Sequence, residues 1–201
     1  MNRIAFVLKL TGDRAAGIAA VKAMEKDFAN AGLDNFSIWH MEQYLFGYGE
    51  SAEAYAGQLD AALAKLPEGV ALACAPGTMR QMYHDIGIVR EDKSLIRHRV
   101  FATKLKPGCE EEYKRRHDGL IEARGDAVKE GPESNFTIWY GDGHIFGYCE
   151  LVRAFDDREP TPEDRAWTVS WETKQLEIMD WLTDDVDWLT GEKHAAVERV
   201  I

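Results

Sequence analysis

A tyrosine and a histidine four residues apart, Tyr113 and His117, are the part of this sequence best suited to chemistry. Residues 108–130 have a helical pattern, and residues four apart in a helix share one face. Leu120 and Ile121 continue that face, so the pair belongs to the apolar side that must pack on a sheet. An imidazole titrates near neutral pH and can accept or donate a proton. The pair therefore indicates a general acid/base site, with a packed core histidine beside a tyrosine as the structural alternative.

The chain contains an internal repeat. Residues 35–50 match residues 135–150 at 8 of 16 positions without a gap, and residues 6–10 match 101–105 in type. We interpret this as a tandem duplication with repeats at 1–95 and 96–201. The offset of 95 places Ile18 and Lys22 where the second repeat has Tyr113 and His117. The fold therefore does not require that pair, and the first repeat is predicted to have a degenerate site.

Each repeat predicts the same order of elements. Alternating β-rich residues indicate a first strand, a glycine-terminated helical stretch follows, and a hairpin comes next. The predicted ranges are 3–10, 13–31, 35–40 and 44–50 in the first repeat, and 98–105, 108–130, 135–140 and 144–150 in the second. Gly32 and Gly131 are the predicted helix ends, and Gly141-Asp142-Gly143 is typical of a hairpin turn.

The second half of each repeat predicts a further helix and strand. In the first repeat we expect helix at 52–65 and 78–84, and a last strand at 86–90 or 93–96. In the second, Thr161-Pro162-Glu163-Asp164 is a helix start, and 196–201 is the last strand. The order βαββαβ is ferredoxin-like. The predicted class is α+β, with two ferredoxin-like repeats that pack their apolar sheet faces into a barrel.

Composition excludes several classes of function. The net charge is −11, so a phosphate backbone or an anionic membrane surface would repel the protein, and neither is expected as a partner. Three cysteines without a CxxC pair and six histidines without an HxH or HxxxH pair indicate no disulfide framework and no metal site. The N-terminal apolar run is too short to span a membrane, and we expect a cytoplasmic protein. The sequence contains no GxGxxG or P-loop motif, and we expect no cofactor.

These residues resemble the L-rhamnose mutarotase family. The resemblance rests on residues 101–105 leading into Tyr113-Lys114-Arg115-Arg116-His117, and on the hairpin segments 135–139 and 145–150. It implies a dimeric ferredoxin-like α+β barrel, which the two repeats of this chain would form as an internal pseudo-dimer, and a homodimer beyond that pseudo-dimer stays open. It also implies an isomerase that interconverts the α and β anomers of a deoxyhexose without a cofactor. By the resemblance, His117 matches the proton donor, and Tyr113 matches a residue that contacts the sugar.

The sequence departs from the family at two places. Phe136 occupies a position where family members usually have tyrosine. Ile178-Met179 occupy the position where family members have a pair of tryptophans. We expect Phe136 and Trp171 or Trp181 to line the sugar pocket instead, with Trp167, Trp171 and Trp181 on one helical stripe. The sugar, L-rhamnose or a related monosaccharide, stays open.

Two other functions remain compatible with the sequence. The first is a cofactor-independent monooxygenase on the same barrel, acting on an electron-rich aromatic substrate. The second is a non-catalytic ligand-binding barrel. Oxygen consumption with phenols would distinguish the first, and sugar binding without a change in anomer exchange would distinguish the second.

Overall fold

The computed structural model describes residues 1–126, 128, 131–155, 157, 159–183 and 197–201. The chain forms two compact units. The first comprises Met1–Arg80 with Val197–Ile201, and the second comprises Gln81–Ala196. These bounds differ from those of the sequence repeats, because the end of the chain belongs to the first unit.

The first unit has βαββαβ order. Its elements are β1 (Asn2–Leu10), α1 (Arg14–Ala23), α2 (Glu25–Ala29), β2 (Asp34–Met41), β3 (Tyr44–Ser51), α3 (Asp60–Leu63) and β4 (Val70–Cys74). The sheet has the order β10-β2-β3-β1-β4, where β10 is Glu198–Arg199 from the end of the chain. The inner order 2-3-1-4 is that of a ferredoxin-like sheet.

The second unit repeats this arrangement. Its elements are β5 (Arg80–Asp85), β6 (Ile96–Leu105), α4 (Glu110–Arg124), β7 (Glu133–Gly141), β8 (His144–Val152), α5 (Pro162–Gln175) and β9 (Met179–Thr183). The sheet order is β5-β7-β8-β6-β9, so an outer strand again lies beside the second strand of the motif. The predicted α+β class with ferredoxin-like repeats is therefore confirmed, while the duplication that would explain them stays a prediction.

In both sheets the first strand of the motif packs a phenylalanine ring over a glycine of the neighbouring strand. Gly47 pairs with Phe6, and Gly147 pairs with Phe101. A Cβ on either glycine would lie 2.1 or 2.2 Å from the phenylalanine ring, so the ring lies directly over the glycine. The recurring Phe-Gly-Tyr of the sequence repeat is thus explained by packing across the strand pair.

Helix ends follow their capping residues. The Thr161 side chain accepts from the Asp164 backbone, and the Asp164 carboxylate accepts from the Thr161 backbone, which confirms the predicted helix start. The helix predicted over 108–130 ends earlier than expected. Its cap is Gly125, whose φ of 61° suits glycine, rather than Gly131.

Three predictions in the first half of the chain are wrong. The last strand of the first motif is β4, not 86–90 or 93–96, and residues 93–95 form a 3-10 turn before β6. Residues 78–84, predicted as helix, fall largely in β5. The helix predicted over 52–65 is reduced to α3. Segments of four to seven residues contain too few positions to separate helical from strand periodicity, which explains the errors at 78–84, 86–90 and 93–96.

The end of the second repeat also differs from the prediction. Its last strand is β9, and within 196–201 the strand residues Glu198–Arg199 pair with β2 of the first sheet. Ala196 lies outside the described residues. Trp181 is on β9, so it does not continue a helical stripe with Trp167 and Trp171. No helix in the described part of the chain is long and apolar enough to cross a membrane.

Candidate active site

A cavity of about 330 Å³ lies between the helices and the sheet of the second unit. Its wall combines aromatic rings with a few polar groups, as in small-molecule sites, which span about 300–1,000 Å³. The lining residues are Tyr83, Arg99, Phe101, Tyr113, His117, Leu120, Glu133, Phe136, Ile138, Trp167, Thr168, Trp171, Glu172, Gln175, Met179 and Trp181. The five residues that the sequence nominated, His117, Tyr113, Phe136, Trp171 and Trp181, are all among them. Their roles stay predictions.

Helix α4 brings Tyr113 and His117 to this cavity. They are its fourth and eighth residues and the two that it buries, with 2% and 5% of their surface exposed. Their rings stack with centroids 4.2 Å apart. The helix is anchored by Arg116, which binds the carboxylates of Glu112 and Glu177 and also donates to the Lys174 carbonyl at the end of α5. The imidazole is therefore held on a fixed helix face.

The hydrogen bond of His117 determines its tautomer. Nδ1 lies 2.9 Å from the Tyr113 carbonyl oxygen, which can only accept, so Nδ1 carries the proton. Burial lowers the pKa of His117 to about 4, although the backbone bond and Asp118 oppose that shift. At neutral pH the ring is therefore uncharged, and Nε2 keeps its lone pair. Among the described residues, Nε2 has no hydrogen-bond partner.

Aromatic rings surround the imidazole. Tyr83 and Trp171 both meet His117 edge to face, with centroids 5.4 and 5.3 Å away. Phe136 lies against Tyr83 at 5.2 Å, and Trp181 lies against Phe101 at 6.1 Å. Trp167 stacks on Trp171 at 5.9 Å and is 57% exposed, so the aromatic surface continues to solvent.

Five further polar side chains complete the wall: Arg99, Glu133, Thr168, Glu172 and Gln175. Glu133 stays accessible to solvent in the concave wall, yet the protein around it removes enough water to raise the pKa of its carboxyl. Burial also raises the pKa of Tyr113, and the charge of Glu172 adds to that shift. Tyr113 is consequently a neutral phenol at physiological pH.

In the first unit the equivalent interface between helix and sheet is filled by hydrophobic core residues. The fourth and eighth residues of α1 are Gly17 and Val21, both buried, whereas Lys22 is exposed. The counterpart of His117 is therefore Val21, and the predicted correspondence with Lys22 was wrong by one residue. Phe6, Phe28 and Phe36 stack together on the same side of the first sheet.

The first strands of the two motifs, β6 and β1, differ in the same way as the helices. Arg99 and Thr103 of β6 pair with Cys149 and Ile145, at the register positions that Ile4 and Leu8 hold on β1. Ile4 and Leu8 are core residues of the first unit. Polar residues thus replace aliphatic ones on both sides of the interface in the second unit.

Several cavity residues were missed by the sequence analysis. Tyr83 reaches the site on β5, from a segment predicted as helix of the other repeat, and no local pattern indicates this. Glu172 and Gln175 could have been found, because they follow Thr168 and Trp171 at helical spacing on the inward face of α5. Among the described residues, no group of three or more His, Cys, Asp or Glu could hold a metal ion.

Comparison with known proteins gives one family match. The family model described as L-rhamnose mutarotase matches residues 98–200. No curated protein matches the chain. Two solved structures resemble this chain at low sequence identity. A putative monooxygenase from Fusobacterium nucleatum subsp. nucleatum is 10% identical with a TM-score of 0.50, covering 98% of this chain and 89% of that one. An anthrone oxidase-like protein is 11% identical with a TM-score of 0.43, covering 98% and 93%.

Proposed function

The chain belongs to the L-rhamnose mutarotase family, and from this premise we propose that it interconverts the α and β anomers of L-rhamnose or a related deoxyhexose. The reaction opens and recloses a hemiacetal, which requires only proton transfers. The proposal assigns this chemistry to the cavity of the second unit. It assigns no catalytic role to the corresponding position of the first unit, which carries Val21.

The observation that carries the proposal is the hydrogen bond from His117 Nδ1 to the Tyr113 carbonyl in the wall of the cavity, which leaves Nε2 as the free ring nitrogen in the described part of the chain. Its Nδ1 proton is held by the Tyr113 carbonyl, and its pKa of about 4 keeps it neutral at pH 7. Nε2 is therefore a base from the start of the reaction. The family resemblance implies a proton donor at this position. Because the Nδ1 proton is engaged by the Tyr113 carbonyl, Nε2 can fill that role only after it has accepted a proton.

The proposed cycle begins when Nε2 removes the proton from the anomeric hydroxyl. The electrons on that oxygen form the carbonyl of the open-chain aldehyde, and the bond between C1 and the ring oxygen breaks. The imidazolium then returns its proton to the former ring oxygen. Rotation about the C1–C2 bond exposes the other face of the aldehyde, and the reverse steps close the ring as the other anomer. The positioned base contributes about 10²- to 10⁴-fold to such a reaction.

The aromatic wall supports a deoxyhexose as the substrate. A six-deoxy sugar carries a methyl group in place of a hydroxymethyl group, and the cavity offers apolar surface at Phe101, Phe136 and Trp181. The negative face of an aromatic ring also attracts the polarised C–H bonds of a sugar ring. The phenol of Tyr113, neutral at physiological pH, is proposed to hydrogen-bond a sugar hydroxyl.

Saturation-transfer NMR of the anomeric protons tests the proposal. We expect the protein to accelerate anomer exchange of L-rhamnose, and His117→Asn to reduce the turnover rate at least 100-fold. Asn keeps a donor for the Tyr113 carbonyl but lacks a base. His144→Asn is the matched control, because His144 is the first residue of β8, beside the β7–β8 turn, and is not among the residues that line the cavity. Unchanged exchange in His117→Asn would exclude His117 from the mechanism.

Monooxygenation of an aromatic substrate is the second candidate. The ring-lined cavity favours it as much as it favours a sugar, and the likeness to a putative monooxygenase concerns the fold alone. Oxygen consumption in the presence of electron-rich phenols distinguishes the two reactions, since anomer exchange consumes no oxygen. A barrel that only binds its ligand would bind the sugar and leave the exchange rate unchanged.

A further inference from the structure

The inward face of α5 is polar where a packing helix is normally apolar. The two residues that this helix buries are Glu172 and Gln175. Both line the cavity, together with Thr168 and Trp171 one turn earlier. The capping box at Thr161 and the contact of Arg116 with Lys174 hold both ends of the helix. The polar face is therefore directed to the cavity by the fold.

Gln175 is the least satisfied of these groups. Its side chain is 1% exposed, and among the described residues neither Oε1 nor Nε2 has a hydrogen-bond partner. Buried amides in native proteins nearly always have partners, because an unpaired donor or acceptor loses its bonds to water. A buried side chain that lines a cavity and lacks both bonds is suited to a ligand that supplies them.

We propose that Gln175 is a specificity-determining residue, whose amide binds two neighbouring hydroxyls of the sugar. Nε2 donates to one hydroxyl oxygen, and Oε1 accepts from the other hydroxyl. This inference rests on the proposed function and names the feature of the substrate that the site recognises. A primary amide presents a donor and an acceptor side by side, and a vicinal diol presents the complementary pair.

The charges around Gln175 favour a neutral polyol over an anionic ligand. Glu172 lies one turn away on the same helix face, and Glu133 is on the same cavity wall. Arg99 is the one cation among the lining residues. A carboxylate or phosphate beside Gln175 would meet the carboxylate of Glu172, whereas a hydroxyl pair carries no charge.

A structural role is the competing explanation. Thr103 Oγ1, also buried in the second unit, lacks a partner among the described residues as well. If the amide only helped to pack the protein interior, its loss would lower the stability of the fold and weaken the binding of every sugar equally. Recognition of a hydroxyl pair predicts instead that the effect depends on which hydroxyls the sugar carries.

The experiment combines two variants with a set of sugars. Gln175→Met keeps the shape and removes both hydrogen-bonding atoms, and Gln175→Glu keeps an acceptor. Thr173→Val is the control, because Thr173 lies on the exposed side of α5 and bonds to the Val169 carbonyl. Binding of L-rhamnose and of its analogues that each lack one ring hydroxyl is measured by calorimetry, alongside anomer exchange and thermal unfolding.

We expect Gln175→Met to weaken L-rhamnose binding about 10- to 100-fold, which corresponds to about 1.4–2.8 kcal/mol. We expect a smaller loss for the two analogues that each lack one of the recognised hydroxyls, because only one hydrogen bond to the amide remains to be lost, and we expect an unchanged or higher unfolding temperature. Gln175→Glu should keep part of the affinity.

Equal losses for all sugars with a lower unfolding temperature, or no loss at all, would overturn the assignment. Failure of the proposed function gives a different result. A wild-type protein that binds the sugar without accelerating exchange refutes the mutarotase proposal and leaves the binding measurements to decide on Gln175. A wild-type protein that binds none of these sugars refutes both.

Discussion

The depressed pKa of His117 predicts a specific pH dependence of stability. In the folded protein this pKa is about 4, against an ordinary value of 6.5, and burial is the largest cause. Between these two values the unfolded chain binds a proton that the folded protein does not. The free energy of unfolding therefore falls as the pH falls from 6.5 to 4, and His117 adds no pH dependence above that range.

The magnitude follows from the two pKa values. One pKa unit corresponds to about 1.4 kcal/mol, and integration down to pH 4 gives a loss of about 3 kcal/mol from this residue alone. His117 is 5% exposed, so solvent screening reduces this value little. Such a loss is a large part of the 5–15 kcal/mol by which typical domains are stable.

Urea unfolding of the wild type and of His117→Asn at pH 7.5, 6, 5 and 4 measures this contribution. Protonation of the carboxylates changes the free energy of unfolding of both proteins alike. The difference between the two free energies of unfolding therefore isolates the contribution of His117. We expect that difference to change by about 3 kcal/mol between pH 7.5 and 4, to the disadvantage of the wild type at pH 4. The acid limb of kcat/KM should likewise have an apparent pKa near 4.

Two results would refute this reasoning. Parallel stability profiles of the two proteins would mean that His117 titrates alike in the folded and unfolded states. An imidazole NMR titration with a midpoint near 6.5 would mean that the ring is solvated, and the assignment of Nε2 as the resting base would lose its physical ground. Ring ¹⁵N shifts at pH 7 should also show the Nδ1–H tautomer.

Three further substitutions have defined expectations. Tyr113→Phe should keep the stacked ring and weaken sugar binding about fivefold by loss of one hydrogen bond, which calorimetry measures and a wild-type affinity would contradict. Gly147→Ala should lower the unfolding temperature and the exchange rate together, because a Cβ 2.2 Å from the Phe101 ring must displace a wall of the cavity; a wild-type unfolding temperature would contradict this. Lys93→Met should destabilise the fold by about 2 kcal/mol in urea unfolding, because the fully buried Glu150 loses its cation; a difference near zero would show that its other hydrogen bonds suffice.

The sequence determined the local parts of the site. A four-residue spacing on a helix places Tyr113 and His117 on one face in any fold that keeps the helix, and both are buried as that face requires. The repeated Asn-Phe-x-Ile-Trp and Phe-Gly-Tyr segments likewise determined the two hairpins. These features depend on residues close together in the chain, where periodicity and turn chemistry are sufficient.

Only the tertiary structure decided what surrounds the imidazole. Tyr83 enters on a strand from outside the repeat, and Trp181 faces the site from β9 rather than from a helix. The low pKa of His117 and the unpaired amide of Gln175 are likewise consequences of burial, which depends on the whole set of neighbours. Strand pairing between segments distant in sequence carries no local signature, and desolvation is a property of the assembled environment. The sequence could therefore nominate the acid/base pair, whereas its protonation state and its cavity exist only in the folded unit.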